Sequence, residues 1–343
     1  MAWPELYLSR PAVVLPESAV DNDETIDRVK RSFRGSPEEW VRIQTAIRYV
    51  FRRCRTKVRY LDERSDASVG EYAARAAAAA IAAENLDAGK IDLLIYAGIA
   101  REYFEPATAM EVAARLGASA LHAFDVTSAC VGLLEGIRVA AASMTLHEDY
   151  QNAVVCSAEL TRGFLDYDIQ SLDELATKSA GLTIGNAAAA FLVQRRRPAA
   201  GGARLLAADN YSLPAHWPLC TAPVGGTFSS DTAALFRLHE HVPPRVVKVL
   251  GEIGWTPNDV DHYLLHQPSE SMVEQVMEML GVSPDRAVLV HHLYANASST
   301  TVALAMNERL RAGGIENGDR LFLSSAAAGF SMVSLVARWE SGE

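Results

Sequence analysis

The sequence predicts an α/β protein built from two similar halves, each a mixed sheet covered by helices. Short apolar runs of strand length alternate with longer helical patterns, and the same order of elements is written twice along the chain. With 343 residues the chain can bury a large core, as two domains or as one duplicated domain.

In the first copy an Ala-rich helical pattern from Tyr72 to Glu84 leads through Asn85-Leu86-Asp87 into Ile91-Asp92-Leu93-Leu94-Ile95-Tyr96, a buried-strand pattern. Pro106 then opens a helix that closes at Leu116-Gly117. The short strand Ala123-Phe124-Asp125-Val126 follows, and then a helix with Cys130 near its start. In the second copy a helix from Arg245 to Ile253 leads through Trp255-Thr256-Pro257 into Val260-Asp261-His262-Tyr263-Leu264-Leu265. A helix from Glu270 closes at Leu280-Gly281, Val288-Leu289-Val290 stands where the short strand stood, and Ala295 to Ser299 precedes a helix through Arg309. Each copy ends in a strand pair around a Gly/Ala turn: Val154 to Ala158 with Ala188 to Val193, and Leu321 to Ser325 with Met332 to Trp339. The polar run Arg195-Arg196-Arg197-Pro198, ahead of Gly201-Gly202, divides the chain into residues 1–197 and 198–343.

Composition narrows the function. A net charge of −10 argues against nonspecific nucleic-acid binding. No apolar run is read as reaching the ~18–20 residues of a membrane span, and no signal-peptide core is seen. Cys54, Cys130, Cys156 and Cys220 contain no C-x-x-C pair, so neither a metal site nor a disulfide framework is expected, and reduced thiols in a cytoplasmic compartment fit. Against the acidic whole, Arg48, Arg52, Arg53, Arg55, Lys57 and Arg59 form a basic cluster.

Three residues attract chemical attention. Cys130, in Asp125-Val126-Thr127-Ser128-Ala129-Cys130-Val131-Gly132, lies where a strand gives way to a helix, so unpaired N–H groups and the positive dipole end favour the thiolate. A buried structural cysteine is the competing reading, which Cys156 and Cys220 keep. His266 ends a strand, at the edge where open α/β sheets usually bind ligands. Asn296 occupies the loop of the second copy that corresponds to the Cys130 loop. An imidazole and a carboxamide can both donate to a thioester oxygen. Taken singly, a loop histidine and a helix-capping asparagine explain them equally well. His262, His291 and His292 have no such placement and read as structural.

At these residues the chain resembles the ketoacyl-ACP synthase III branch of the thiolase superfamily. The matching segments are Asp125 to Gly132, His266-Gln267-Pro268, Tyr294-Ala295-Asn296-Ala297-Ser298-Ser299 and Ala327-Ala328-Gly329-Phe330, in order over nearly the whole chain. The resemblance implies a thiolase fold, a five-layered αβαβα sandwich from two duplicated halves, usually a homodimer. It also implies a catalytic triad of Cys130, His266 and Asn296, and an oxyanion hole from the backbone N–H groups of Cys130 and of Ala328 or Gly329. No bound cofactor is implied; the substrates would be acyl-CoA or acyl-ACP thioesters, with an acyl carrier protein as a further partner. Arg55, in Cys54-Arg55-Thr56, is similar to a segment of chain-initiating synthases, so the basic cluster lines either the phosphopantetheine entrance or a solvated helix face. There are departures. Gly185-Asn186-Ala187 replaces a Gly-Asp-Gly or Gly-Cys-Gly segment, the terminal loop Ala326-Ala327-Ala328-Gly329 has fewer glycines, and Ser271 stands where initiating synthases carry an arginine. These leave the thioester carrier open.

A finer resemblance concerns Arg101-Glu102-Tyr103-Phe104-Glu105-Pro106-Ala107-Thr108-Ala109. The head-to-head acyl-CoA condensing enzymes of olefin synthesis, and pyrone-forming ketosynthases, carry glutamate before the proline and use it as a base in the neighbouring subunit's site. This implies that Glu105 removes an α-proton, with Phe104 beside it as a substrate contact, in a Claisen condensation without decarboxylation. A carboxylate ahead of a helix start is also favourable on dipole grounds alone. The alternatives are decarboxylative condensation with malonyl-ACP, acyl transfer to an oxygen or nitrogen acceptor, type III polyketide synthase chemistry, and an inactive structural partner of a condensing pair.

Overall fold

Alternation along the strands decides the layers. The computed structural model describes residues 5–161, 163 and 165–342. Its main sheet holds β1 (Tyr7–Leu8), β2 (Ala12–Val14), β3 (Leu93–Tyr96), β4 (His122–Asp125), β5 (Asn152–Glu159), β6 (Ala187–Gln194), β7 (Gly202–Ser212), β8 (His262–Leu265), β9 (Arg320–Ala327) and β10 (Ser331–Glu340). Successive strand residues point to opposite faces. Leu93 and Ile95 therefore share one cluster with Val155, Phe191, Leu264, Leu323 and Trp339, around the helices Gly132–Leu146 and Thr301–Arg311. Leu94 and Tyr96 face the other way, with Val154, Cys156 and Ala190, onto the helices Val69–Ala83 and Thr108–Arg115. Tyr263, Leu265, Phe322 and Val336 pack under Val242–Gly251 and Glu270–Leu280. Helix, sheet, helix, sheet and helix follow one another, which is the five-layered αβαβα sandwich.

The pairing is duplicated as well. β3 runs parallel to β5, and β5 antiparallel to β6; β8 runs parallel to β9, and β9 antiparallel to β10. The two half-sheets are also knitted together. Tyr7 and Leu8 pair with β6 on one side and β7 on the other, so the strand order is β8-β9-β10-β7-β1-β6-β5-β3-β4, with β2 beside β6.

Several expectations need correction. Val288-Leu289-Val290 forms no strand; only an isolated bridge joins Ala287 to Tyr263. The Gln267 side chain explains this. Its Oε1 accepts from the N–H groups of Val290 and His291, and its Nε2 donates to the Val288 carbonyl, so the backbone needs no ladder. The helix expected at Pro106 begins at Thr108, where both Asp125 carboxylate oxygens take the first N–H groups. β7, which opens at Gly202 just behind the expected division of the chain and is not among the expected strands, is an eleven-residue strand. The helices Asn22–Ser32 and Pro37–Cys54 pack with Ile169, Leu175 and Leu182 in a separate cluster. Among the described residues the helical stretch Ala129–Leu146 is long and apolar enough to cross a membrane. Its apolar residues are spent instead on the central layer between the two half-sheets.

Candidate active site

The central helices start at one place, and there the chain departs from ordinary backbone geometry. Ala129, Ala295, Ser298 and Phe330 all have positive φ, at 46°, 56°, 51° and 45°. Such conformations cost a residue with a Cβ on the order of 1–3 kcal/mol and tend to gather where a site is held in shape. Close packing accompanies the strain. A Cβ on Gly132 would lie 2.2 Å from the Ala97 carbonyl oxygen, and one on Gly185 would lie 2.5 Å from that of Tyr294.

Ser298 is where the candidate residues meet. Its Oγ donates to the Cys130 sulfur at 3.5 Å, its N–H donates to Asn296 Oδ1 at 3.0 Å, and its backbone lies close enough to the His266 imidazole to favour the charged form slightly. With Asn296 Oδ1 committed to Ser298, the carboxamide NH2 is the group left for a ligand. The Asn296 backbone is itself fixed by its N–H on the Thr183 carbonyl and its carbonyl on the Gly185 N–H. Ser325 Oγ donates to the Cys130 carbonyl at 2.9 Å, bringing β9 against the Cys130 turn. Ala328 and Gly329 form the hairpin tip beyond β9, with Gly329 at φ 73°.

The electrostatics differ from the sequence expectation at Cys130. Burial pushes its thiol up to about 12; the Ser298 hydroxyl opposes this, and the Glu159 charge and Cys220 add to it. The resting group is a neutral thiol, because desolvation outweighs the helix start. Burial likewise drives the His266 imidazole down to about 3, with His291 and His239 nearby adding to the effect. His266 is thus neutral at ordinary pH. Its Nδ1 is buried without a hydrogen-bond partner among the described residues. A small cavity of about 40 Å³ adjoins it, lined by His239, Pro268, Met272, Val276 and Met332 among others.

Glu105 and Phe104 lie elsewhere. Both are on the exposed segment 101–106, Phe104 at 83% exposure, whereas His266 is buried. The basic cluster is split. Arg48, Arg52, Arg55 and Lys57 line a cleft of about 640 Å³ with Asn22, Thr56 and His292. Arg59 is buried instead, donating to the Asp21 carbonyl and the Asn22 side chain. Arg55 is engaged by Glu274 and, at 3.6 Å, by Glu270. Both acids lie on the helix that carries Ser271. Asn186, in the departing Gly185-Asn186-Ala187 segment, accepts from the Asp62 N–H and donates to Thr161.

One histidine and one glutamate near the site, His239 and Glu159, stand outside what the sequence predicts. His239 lies beside His266. His291, read as structural, is fully buried between Thr56 Oγ1, at 2.7 Å, and the Gln267 carbonyl, at 3.0 Å. It ties the wall of the cleft to the backbone that carries His266. Glu159 closes β5 and is 2% exposed. Only its place at the end of the apolar run Val154 to Ala158 hinted at it.

Comparison with known proteins agrees with this geometry. The sequence profile of 3-oxoacyl-(acyl-carrier-protein) synthase III matches residues 124–213, and the profile of that family's C-terminal part matches residues 250–339. A β-ketoacyl-(acyl-carrier-protein) synthase III of Neisseria meningitidis is 27% identical over 331 residues, covering 95% of this chain and 96% of its own. The crystal structure of 3-oxoacyl-(acyl carrier protein) synthase III, FabH, from Pseudomonas aeruginosa superposes with a TM-score of 0.84 at 24% identity, over 99% of each chain. A Xanthomonas campestris OleA structure with bound lauric acid and lauroyl-CoA superposes at 0.89 with 21% identity, covering 98% of this chain and 100% of its own.

Proposed function

Because the chain belongs to the ketoacyl-ACP synthase III-like condensing enzymes of the thiolase superfamily, we propose that it joins two acyl thioesters through an acyl group carried on Cys130. The observation that carries this reading is the meeting of Cys130, His266 and Asn296 around Ser298. The Cys130 sulfur attacks the first thioester carbonyl, the bond to the carrier sulfur breaks, and the thiol proton passes by the neutral His266 to the departing thiolate. Backbone N–H groups of Cys130 and of the Ala328-Gly329 turn hold the oxyanion. The second thioester then binds with its carbonyl oxygen against His266 and the Asn296 carboxamide. Removal of its α-proton makes an enolate, which attacks the Cys130 acyl carbon and releases the sulfur, leaving a β-ketoacyl thioester.

We assign the α-proton to Glu105 of a second copy of the chain, in a homodimer. The exposure of Phe104 and Glu105 supports this, since neither is spent on its own chain. The cleft with Arg48, Arg52, Arg55 and Lys57 suits the phosphate of a phosphopantetheine, which coenzyme A and an acyl carrier protein share. Free thiols at Cys54, Cys130, Cys156 and Cys220 fit a reducing, cytoplasmic setting.

The test uses lauroyl-CoA alone, then lauroyl-CoA with malonyl-ACP. A β-ketoacyl product from lauroyl-CoA alone, lost in Glu105→Gln while the Cys130 adduct still forms, is the expected result. An absolute need for malonyl-ACP would instead establish decarboxylative condensation, and an ester or amide product would establish acyl transfer.

A further inference from the structure

A carboxyl group that this mechanism does not use lies beneath the nucleophile. Glu159 ends β5 inside the protein, and its partners come from three directions. Ser299, from the turn that opens the helix Thr301–Arg311, donates its hydroxyl to Glu159 Oε1. Ser157, two residues back on β5, donates at 3.3 Å and is itself 2.7 Å from Ser299. The Ile99 N–H, from the loop after β3, reaches both carboxylate oxygens at 3.3 Å. None of these partners is a cation. Ser299 directly follows Ser298, whose hydroxyl touches the Cys130 sulfur, and it packs close to Gly132 at the start of the Cys130 helix.

We propose that Glu159 is a positioning residue whose own charge state sets the reactivity of Cys130. It anchors the Ser298-Ser299 turn against the sulfur, and its negative charge, when present, opposes formation of the thiolate in the same low-dielectric space. Burial raises this carboxyl to about 7 against the opposing hydrogen bonds, so its charge changes within the working range of an enzyme. The titratable groups that face it are the Cys130 thiol from the nucleophile turn and the Tyr96 phenol from β3. Below neutrality Glu159 is a neutral acid and the thiolate forms with only burial against it. Above neutrality the carboxylate adds repulsion.

The inference rests on Cys130 as the nucleophile, yet its test reads the thiol directly and does not need a thioester. Iodoacetamide alkylation of the Cys130 peptide is followed by mass spectrometry from pH 5.5 to 9, with Cys130→Ala to assign the peptide. A lone thiol gains about tenfold in rate per pH unit below its pKa. The native protein should follow that line at low pH, flatten through about pH 7, and resume the slope lower down. Glu159→Gln, which keeps size and hydrogen bonding, should match the native rate below pH 6 and exceed it about threefold or more above pH 8. Glu159→Asp, still a carboxyl, should keep the break. A straight native profile across the range overturns the proposal even if no variant folds. So does a Glu159→Gln to native ratio that stays constant with pH. Failure of thioester acylation with the break intact would count against the proposed function alone.

Discussion

Ser298 gives its hydroxyl to Cys130 and its N–H to Asn296, so its two roles can be separated. Ser298→Ala removes the donor to sulfur and leaves the N–H on Asn296 in place. Loss of one ordinary hydrogen bond is about 0.5–1.5 kcal/mol. Acylation of Cys130, measured as the rate of adduct formation, should therefore fall roughly three- to tenfold, with little change in stability. A fall large enough to match Cys130→Ala would mean that the hydroxyl does more than orient the thiol. The same residue shows why reading side chains one at a time falls short. Cys130, His266 and Asn296 could be picked out by their motifs, whereas Ser298 stood among small residues with nothing to single it out.

The elements that deliver these residues depend on contacts made far away in sequence. The helix Thr108–Arg115 has no side-chain cap from Ala107, its neighbour; Asp125, at the end of β4, takes the N–H groups of Thr108 and Ala109 at 2.9 and 2.8 Å. Asp125→Ala should cost about 1–2 kcal/mol, measured by urea unfolding, and loosen the Glu105 segment just ahead of that helix. An unchanged midpoint would show that another group takes over the cap. Gly132 makes a sharper case. A Cβ there meets backbone rather than a movable side chain, so Gly132→Ala should destabilise the fold by roughly 1–3 kcal/mol and shift the Cys130 turn. Element type was legible where an apolar run was unbroken, as in β3 and β8, or where helical periodicity was sustained, as in the central helices. It was not legible at Val288-Leu289-Val290, because a distant glutamine side chain takes the hydrogen bonds a strand would have used.

At the scale of the molecule, two predictions follow from burial and assembly. His266 and His291 sit at about 3 and about 4 in the folded state, below the ordinary histidine value of 6.5. The unfolded chain therefore binds more protons than the folded one, and stability falls as pH drops below 6.5. Glu159 acts in the opposite sense. Its carboxyl is raised from 4.5 to about 7, so its contribution is present at low pH and lost as pH rises through 7. Two histidines against one carboxyl should leave a net loss of stability between pH 6.5 and 4.5, read from urea midpoints. The loss should be steeper in Glu159→Gln; a midpoint that rises on acidification would contradict this balance. Assembly is tested by mixing. Chains carrying Cys130→Ala and chains carrying Glu105→Gln should be inactive alone and regain about a quarter of native activity in statistically mixed dimers. No recovery from demonstrated heterodimers would place the base within its own chain.

The sequence by itself determined the class of the fold, its duplication, and the choice of Cys130, His266 and Asn296 as candidates, because periodicity and local motifs are properties of neighbouring residues. Tertiary structure alone decided that these groups gather at Ser298, that the Cys130 thiol is neutral at rest, that Arg55 is engaged by Glu274, and that Glu159 lies beneath Cys130. These depend on desolvation or on contacts between residues far apart in the chain, such as Cys130 with Ser298, Arg55 with Glu274 and Glu159 with Ser299, and neither quantity is written in any local stretch of the chain.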